Sequence, residues 1–174
     1  TLDRIAPVLL AATIATEDKD FYNHPGFDFW AITRALWENY RTGGQGGGAS
    51  TITQQLARAL LLSPEERAER TYSRKAREII LAAEITRRYS KDEILEMYLN
   101  QHYFGRGSYG VAAAARALFD KLVSELNAND CAILIGLLKG PNINSPLTSM
   151  EKALQARNRV LYSYYSWGGI TEQE

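Results

Sequence analysis

Apolar residues recur at intervals of three and four along nearly the whole chain, with few β-branched alternations, and that spacing predicts an all-α fold. A first helix is expected to start near Pro7, a favoured first-turn residue, and to run through Leu10 and Ile14 to Glu17. Asp28 is placed to cap a second helix, on which Phe29, Ile32, Leu36 and Tyr40 share one face and which Gly43-Gly44 ends. That aromatic face, with Trp30 and Trp37 nearby, fits either a core or a membrane-facing patch. Thr51 and Gln54 form a capping box for a third helix. Ser63-Pro64-Glu65-Glu66 opens what reads as one long helix, along which Arg70, Arg74 and Glu78 fall on an exposed stripe while Ile79, Ile80 and Ala83 face inward.

Further on, Ser90 to Glu93 is another capping box, and Ile94, Leu95, Tyr98 and Leu99 give its helix a core face that ends at Asn100 and Gly105. The glycine-spaced turn Phe104 to Gly110 leads into the small residues Val111 to Ala115, which permit close packing. Asn127 caps a nearly all-apolar helix to Leu138, read as the central buried one, which Gly140-Pro141 stops. A last helix spans about Met150 to Trp167, closed by Gly168-Gly169. No internal repeat or linker divides the 174 residues, so one domain over 1–174 is expected.

Twenty basic and twenty acidic residues cancel, so nothing in the overall charge argues for nucleic acid, and electrostatic specificity has to come from clustering. The single cysteine, Cys131, cannot form an intrachain disulfide and sits in an apolar run that predicts burial. No apolar run reaches the roughly 20 residues needed to span a bilayer, and no signal peptide opens the sequence. The abrupt start at Thr1 points to a fragment of something larger.

Two stretches carry candidate chemistry. Where the first helix ends, Glu17, Asp18 and Asp20 crowd with His24, Pro25 and Gly26, although acids at a helix C-terminus oppose the macrodipole. A solvated acidic turn anchored by Phe21 would explain them; so would a base or acid at position 17, on the edge of the core. The second stretch, Thr42 to Ser50, carries five glycines and leads directly into a helix N-terminus. It reads as a mobile loop and a ready anion site, because free N–H groups and the dipole point outward there. The P-loop pattern is absent. The Arg70-Arg74-Glu78 stripe, flanked by Lys75 and Arg77, reads by itself as an ordinary ion-pair ladder.

Five motifs in order change that reading: Glu17-Asp18-x-x-Phe21-x-x-His24-x-Gly26, Gly48-Ala49-Ser50-Thr51-Ile52-Thr53-Gln54-Gln55, Arg74-Lys75-x-x-Glu78, Lys91-x-x-Ile94-Leu95-Glu96-x-Tyr98-Leu99-Asn100 and Gly105-x-Gly107-x-Tyr109-Gly110. Together they resemble the family 51 glycosyltransferases, the peptidoglycan polymerase domains of bifunctional penicillin-binding proteins and of monofunctional transglycosylases. The tail, Arg157-Asn158-x-Val160-Leu161 through Ile170, resembles the segment that hands over to a C-terminal transpeptidase domain. Arg58 stands where many members have Lys, while Leu118, Asp120, Asp130 and Cys131 depart from the family at positions that read as structural.

The resemblance implies a lysozyme-like helical lobe with a smaller, mobile, membrane-proximal jaw, working at the extracytoplasmic face of a bacterial cell membrane. Its substrates would be lipid II and the growing glycan on undecaprenyl pyrophosphate, joined by inverting transfer. It implies Glu17 as the base for the acceptor hydroxyl and Arg58, Arg70, Arg74, Lys75, Ser50, Thr51, Gln54 and Gln55 around the pyrophosphate. Glu78 belongs in the active site, its role open between orienting Arg74 or Lys75 and holding a divalent cation (Mg or Mn); no organic cofactor is implied. Asp18, Phe21, His24, Gly26 and Asn100 are supporting residues. Two competing readings are a lysozyme-like hydrolase or lytic transglycosylase, which also needs a glutamate but no cationic pocket, and a non-enzymatic lipid-pyrophosphate binder.

Overall fold

A computed structural model describes residues 1–43, 50–69 and 71–171. Among them the fold is all-α: nine α-helices and two short 3₁₀ turns, with no strand beyond an isolated bridge between Tyr103 and Tyr109. The chain divides into two compact units, Asp20–Tyr98 and the pair of segments Thr1–Lys19 and Leu99–Glu174.

The discontinuous unit holds α1 (Pro7–Glu17), α7 (Val111–Phe119), α8 (Ala128–Leu138) and α9 (Met150–Ser166). Helix α8 is apolar on all sides and buries eight residues, Asp130 through Ala132 and Leu134 through Leu138, with α1, α7 and α9 packed on it. A helix without a polar face has to be surrounded, which makes it the axis of this unit. Asn127 caps it, and the carboxylate of Asp130 closes the box while also accepting from Lys121 at 2.6 Å. Burial pushes the Cys131 thiol up to about 12, so this side chain packs as an inert apolar group. Gly110 opens α7 at φ +81°, where a Cβ would stand 2.7 Å from the Asn100 carbonyl oxygen, so only glycine permits that approach.

The continuous unit contains α2 (Phe29–Thr42), α3 (Ile52–Leu61), α4 (Pro64–Ala68), α5 (Tyr72–Arg88) and most of α6 (Lys91–Gln101), with α3 packed on α5. Two expectations are corrected here. The run from Ser63 is not one long helix: the backbone is extended at Glu69, and the Thr71 side chain accepts from the Arg74 N–H to start α5 afresh. Capping twice satisfies more orphan N–H groups than the Ser63 signal alone announced. The inward face of α5 is also different. Its buried residues are Glu78, Ala82 and Ile85, so Ile80 lies on the far side, 68 % exposed, and Glu78 is not on an exposed stripe. Helix α2 is capped by Asp28 as expected, but buries no residue, so the shared face of Phe29, Ile32, Leu36 and Tyr40 is not core. The glycine stretch 44–49 and Arg70 lie outside the described residues.

Candidate active site

Within the continuous unit the caps of α3 and the basic residues of α5 come together. Thr51 Oγ1 accepts from the Gln54 N–H and Gln54 Oε1 accepts from the Thr51 N–H, both at 3.1 Å. The same Gln54 oxygen accepts from Lys75 Nζ at 3.1 Å, and Lys75 also reaches Ser50 Oγ at 2.8 Å and Glu78 Oε2 at 3.2 Å. The other carboxylate oxygen of Glu78 accepts from Arg74 Nη1 and lies 3.8 Å from Arg58 Nη1. Three cations thus surround one carboxylate that is only 1 % exposed, leaving a surplus of two positive charges beside the N-terminal turn of α3.

Burial lowers the Lys75 ammonium below the ordinary lysine value; Glu78 opposes the shift, and Arg58 and Arg74 add to it. Lone Arg and Lys ladders on solvated helices do not build such a group. Its excess charge, placed at the positive end of the α3 dipole, suits a doubly charged anion. A divalent cation at Glu78 would share a carboxylate whose two oxygens already face these three cations. Among the described residues no group of three or more His, Cys, Asp or Glu side chains is arranged to hold one.

Behind α3 lies the loop that carries Phe21, His24 and Gly26. Thr51 Oγ1 donates to the Gly26 carbonyl at 2.6 Å, and Lys91 Nζ donates to the His24 carbonyl at 2.7 Å while sitting 4.6 Å from the centre of the buried Phe21 ring. The Gly26 N–H donates to His24 Nδ1 at 3.2 Å. Gly26 has φ +100°, and a Cβ there would meet the Ala82 carbonyl oxygen at 2.5 Å and Thr86 Oγ1 at 2.6 Å, so the loop lies directly on α5. Gln55 Oε1 accepts from the Tyr98 hydroxyl at 3.1 Å.

In the discontinuous unit α1 ends at Glu17, and the Asp18 N–H closes it on the Ile14 carbonyl at 2.9 Å. The Glu17 carboxyl is 5 % exposed, and Lys139, the C-cap of α8, brings Nζ to 3.7 Å from Oε1. Both residues line a cavity of about 450 Å³ between α1, α8 and α9.

A family model described as Transglycosylase matches residues 1–165. The chain belongs to that family. It is a peptidoglycan glycosyltransferase domain of the kind found in penicillin-binding proteins. It is 48 % identical over 174 residues to penicillin-binding protein 1A of Escherichia coli (strain K12), covering 100 % of this chain and 20 % of that relative. It is 39 % identical over 174 residues to penicillin-binding protein 1F of Bacillus subtilis (strain 168), covering 100 % and 24 %. A crystal structure of penicillin-binding protein 1A from Haemophilus influenzae aligns with 70 % of this chain and 14 % of that chain at 30 % identity, with a TM-score of 0.47. The chain thus spans about a fifth to a quarter of the length of these curated relatives.

In this transglycosylase domain, Ser50, Thr51, Gln54, Arg58, Arg74, Lys75 and Glu78 form one bonded group, with Phe21, His24 and Gly26 in the loop behind it. Glu17, Asp18 and Asn100 belong to the other unit, and Arg70 lies outside the described residues. Sequence reasoning passed over Lys139 and Arg159, which line the cavity beside Glu17. Lys139 carried a faint signal, a cation at the C-terminus of the apolar helix just before Gly140-Pro141; Arg159 carried none.

Proposed function

We propose that this domain polymerises lipid II by inverting transfer, releasing undecaprenyl pyrophosphate, with Glu17 as the base that takes the proton from the attacking 4-hydroxyl of the acceptor sugar. A hydroxyl attacks poorly at neutral pH, and general-base assistance contributes about 10²–10⁴ in rate. The leaving pyrophosphate gathers negative charge, which fixed cations and helix-end N–H groups stabilise without moving during the reaction. The observation that carries this reading is the group of Arg58, Arg74 and Lys75 about the buried Glu78 at the start of α3. In it Ser50, Thr51 and Gln54 supply polar contacts and Glu78 spaces the cations, with Gln55 the next residue along α3. A glycoside hydrolase protonates a sugar leaving group and has no use for such a group.

The substrate's lipid and the exposed aromatic side chains of α2 support a membrane surface as partner, with α2 as part of the family's jaw, at the extracytoplasmic face. Among the described residues no helix is long and apolar enough to cross a membrane. A transpeptidase domain further along the same polypeptide is part of this proposal, supported by the relatives' greater length. Incubating the protein with labelled lipid II, and separately with preformed glycan, tests the reading: chain growth is expected, and chain shortening without growth would overturn it.

A further inference from the structure

The cavity beside Glu17 is lined by a second cation that pairs with no described residue. Arg159 lines it from α9, on the same side as Tyr162 and one residue before the buried Val160. Its guanidinium makes no hydrogen bond or ion pair among the described residues, in contrast to Arg157 two positions earlier, which donates to Asn129 and Asn158. The only carboxylate among the residues lining the cavity is Glu17, and the cation within ion-pair distance of it there is Lys139. An exposed arginine without a partner among the described residues therefore stands at a cavity of about 450 Å³ whose lining includes Ile135, Val160 and Tyr162, room for a sugar ring with a cation at its edge.

We infer that Arg159 anchors an anionic group of the acceptor substrate in the cavity beside Glu17, fixing the sugar while its hydroxyl loses a proton. The inference rests on the reading of Glu17 as the base. Arginine suits this task because its planar fork pairs two oxygens of a carboxylate or phosphate at once. Lipid II offers both, carboxylates on its stem peptide and phosphates on its carrier, and the two sources share the chemistry that Arg159 recognises. The pyrophosphate cluster of the other unit has its own cations, so Arg159 would serve the acceptor and not the donor.

The test is steady-state polymerisation by the wild type, Arg159→Ala and Arg159→Lys, each with native lipid II and with lipid II whose stem-peptide carboxylates are amidated. For Arg159→Ala a rise in KM of about 5- to 20-fold with kcat within about twofold is expected, the loss of one charge-assisted contact. Arg159→Lys should recover part of it. If amidation abolishes the difference between wild type and Arg159→Ala, the anchor is a carboxylate; if the difference persists, it is a phosphate. An unchanged KM in Arg159→Ala, or a fall in kcat alone, overturns the inference. Failure of the underlying reading would look different, since the wild type itself would then make no glycan in the same assay.

Discussion

The ammonium of Lys139 stands 3.7 Å from a carboxylate oxygen of Glu17, joining the end of α8 to the end of α1 across most of the sequence. Glu17 is nearly buried and Lys139 is two-thirds exposed, so the pair is a buried carboxylate held by a cation reaching in from solvent. Such a cation fixes where the carboxylate sits, and a base has to be in position before substrate arrives. Glu17→Gln should therefore keep its circular dichroism spectrum and lose about 10²–10⁴ in glycan formation. Wild-type rates from that variant would remove position 17 as the base.

The cations about Glu78 depend on it for more than binding. Glu78→Ala would leave Arg74 and Lys75 crowded without their counter-ion, where breaking a fully buried pair costs about 3–5 kcal/mol. Their side chains keep 15 % and 28 % exposure, so solvent screening brings the expected loss below that range, to about 2–3 kcal/mol. Denaturant unfolding measures it, and a midpoint indistinguishable from wild type would show that the cations do not need this carboxylate.

Lys75 gives the anion site a pH dependence with a definite sign. Because burial lowers its value from the ordinary 10.5, Lys75 loses its proton where an unperturbed lysine still holds one. Pyrophosphate affinity should thus fall as pH rises, beginning below 10.5, and binding in that range should take up protons, since the bound anion favours the charged form. Calorimetry in two buffers of different ionisation enthalpy reads the uptake. Lys75→Met should abolish it, and uptake unchanged in that variant would assign it elsewhere.

Gly26 is predicted to tolerate no side chain. At φ +100° an alanine is strained whatever the space, and its Cβ would stand 2.5 Å from the Ala82 carbonyl, backbone that cannot swing aside. Gly26→Ala should cost about 2–3 kcal/mol and disturb the Thr51 cap that bonds its carbonyl, lowering stability and activity together. An active variant of normal stability would contradict the packing of this loop on α5.

Helix α2 leaves Trp30 77 % and Trp37 62 % exposed, a cost to solubility unless a partner covers them. Trp30→Ser with Trp37→Ser should weaken sedimentation with phosphatidylglycerol vesicles about tenfold or more while leaving unfolding in solution unchanged. Equal vesicle binding by wild type and variant would argue against α2 as the membrane-contacting element.

The chain alone set where most helices begin, because caps are local, although the fresh start at Thr71 went unread. Asp28, Thr51, Ser63, Ser90, Asn127 and Ser149 each bond an N–H three residues on, and no distant contact is needed to make them do so. It also determined that α8 is central, since a helix apolar on all sides has no stable place but the inside. The family was legible in the order of five motifs. Burial was another matter. Arg74 and Glu78 read as an exposed ladder, and Ile80 as inward, because the 3.6-residue period of α5 offers an apolar line and a charged line and does not say which one turns to α3. Packing against the capped start of α3 decided it, and in doing so converted a surface ladder into a group around a buried carboxylate. Only the tertiary structure, likewise, could bring Lys139 and Arg159 to the cavity that holds Glu17, since neighbours that far apart in sequence are set by how helices stack and not by any local pattern.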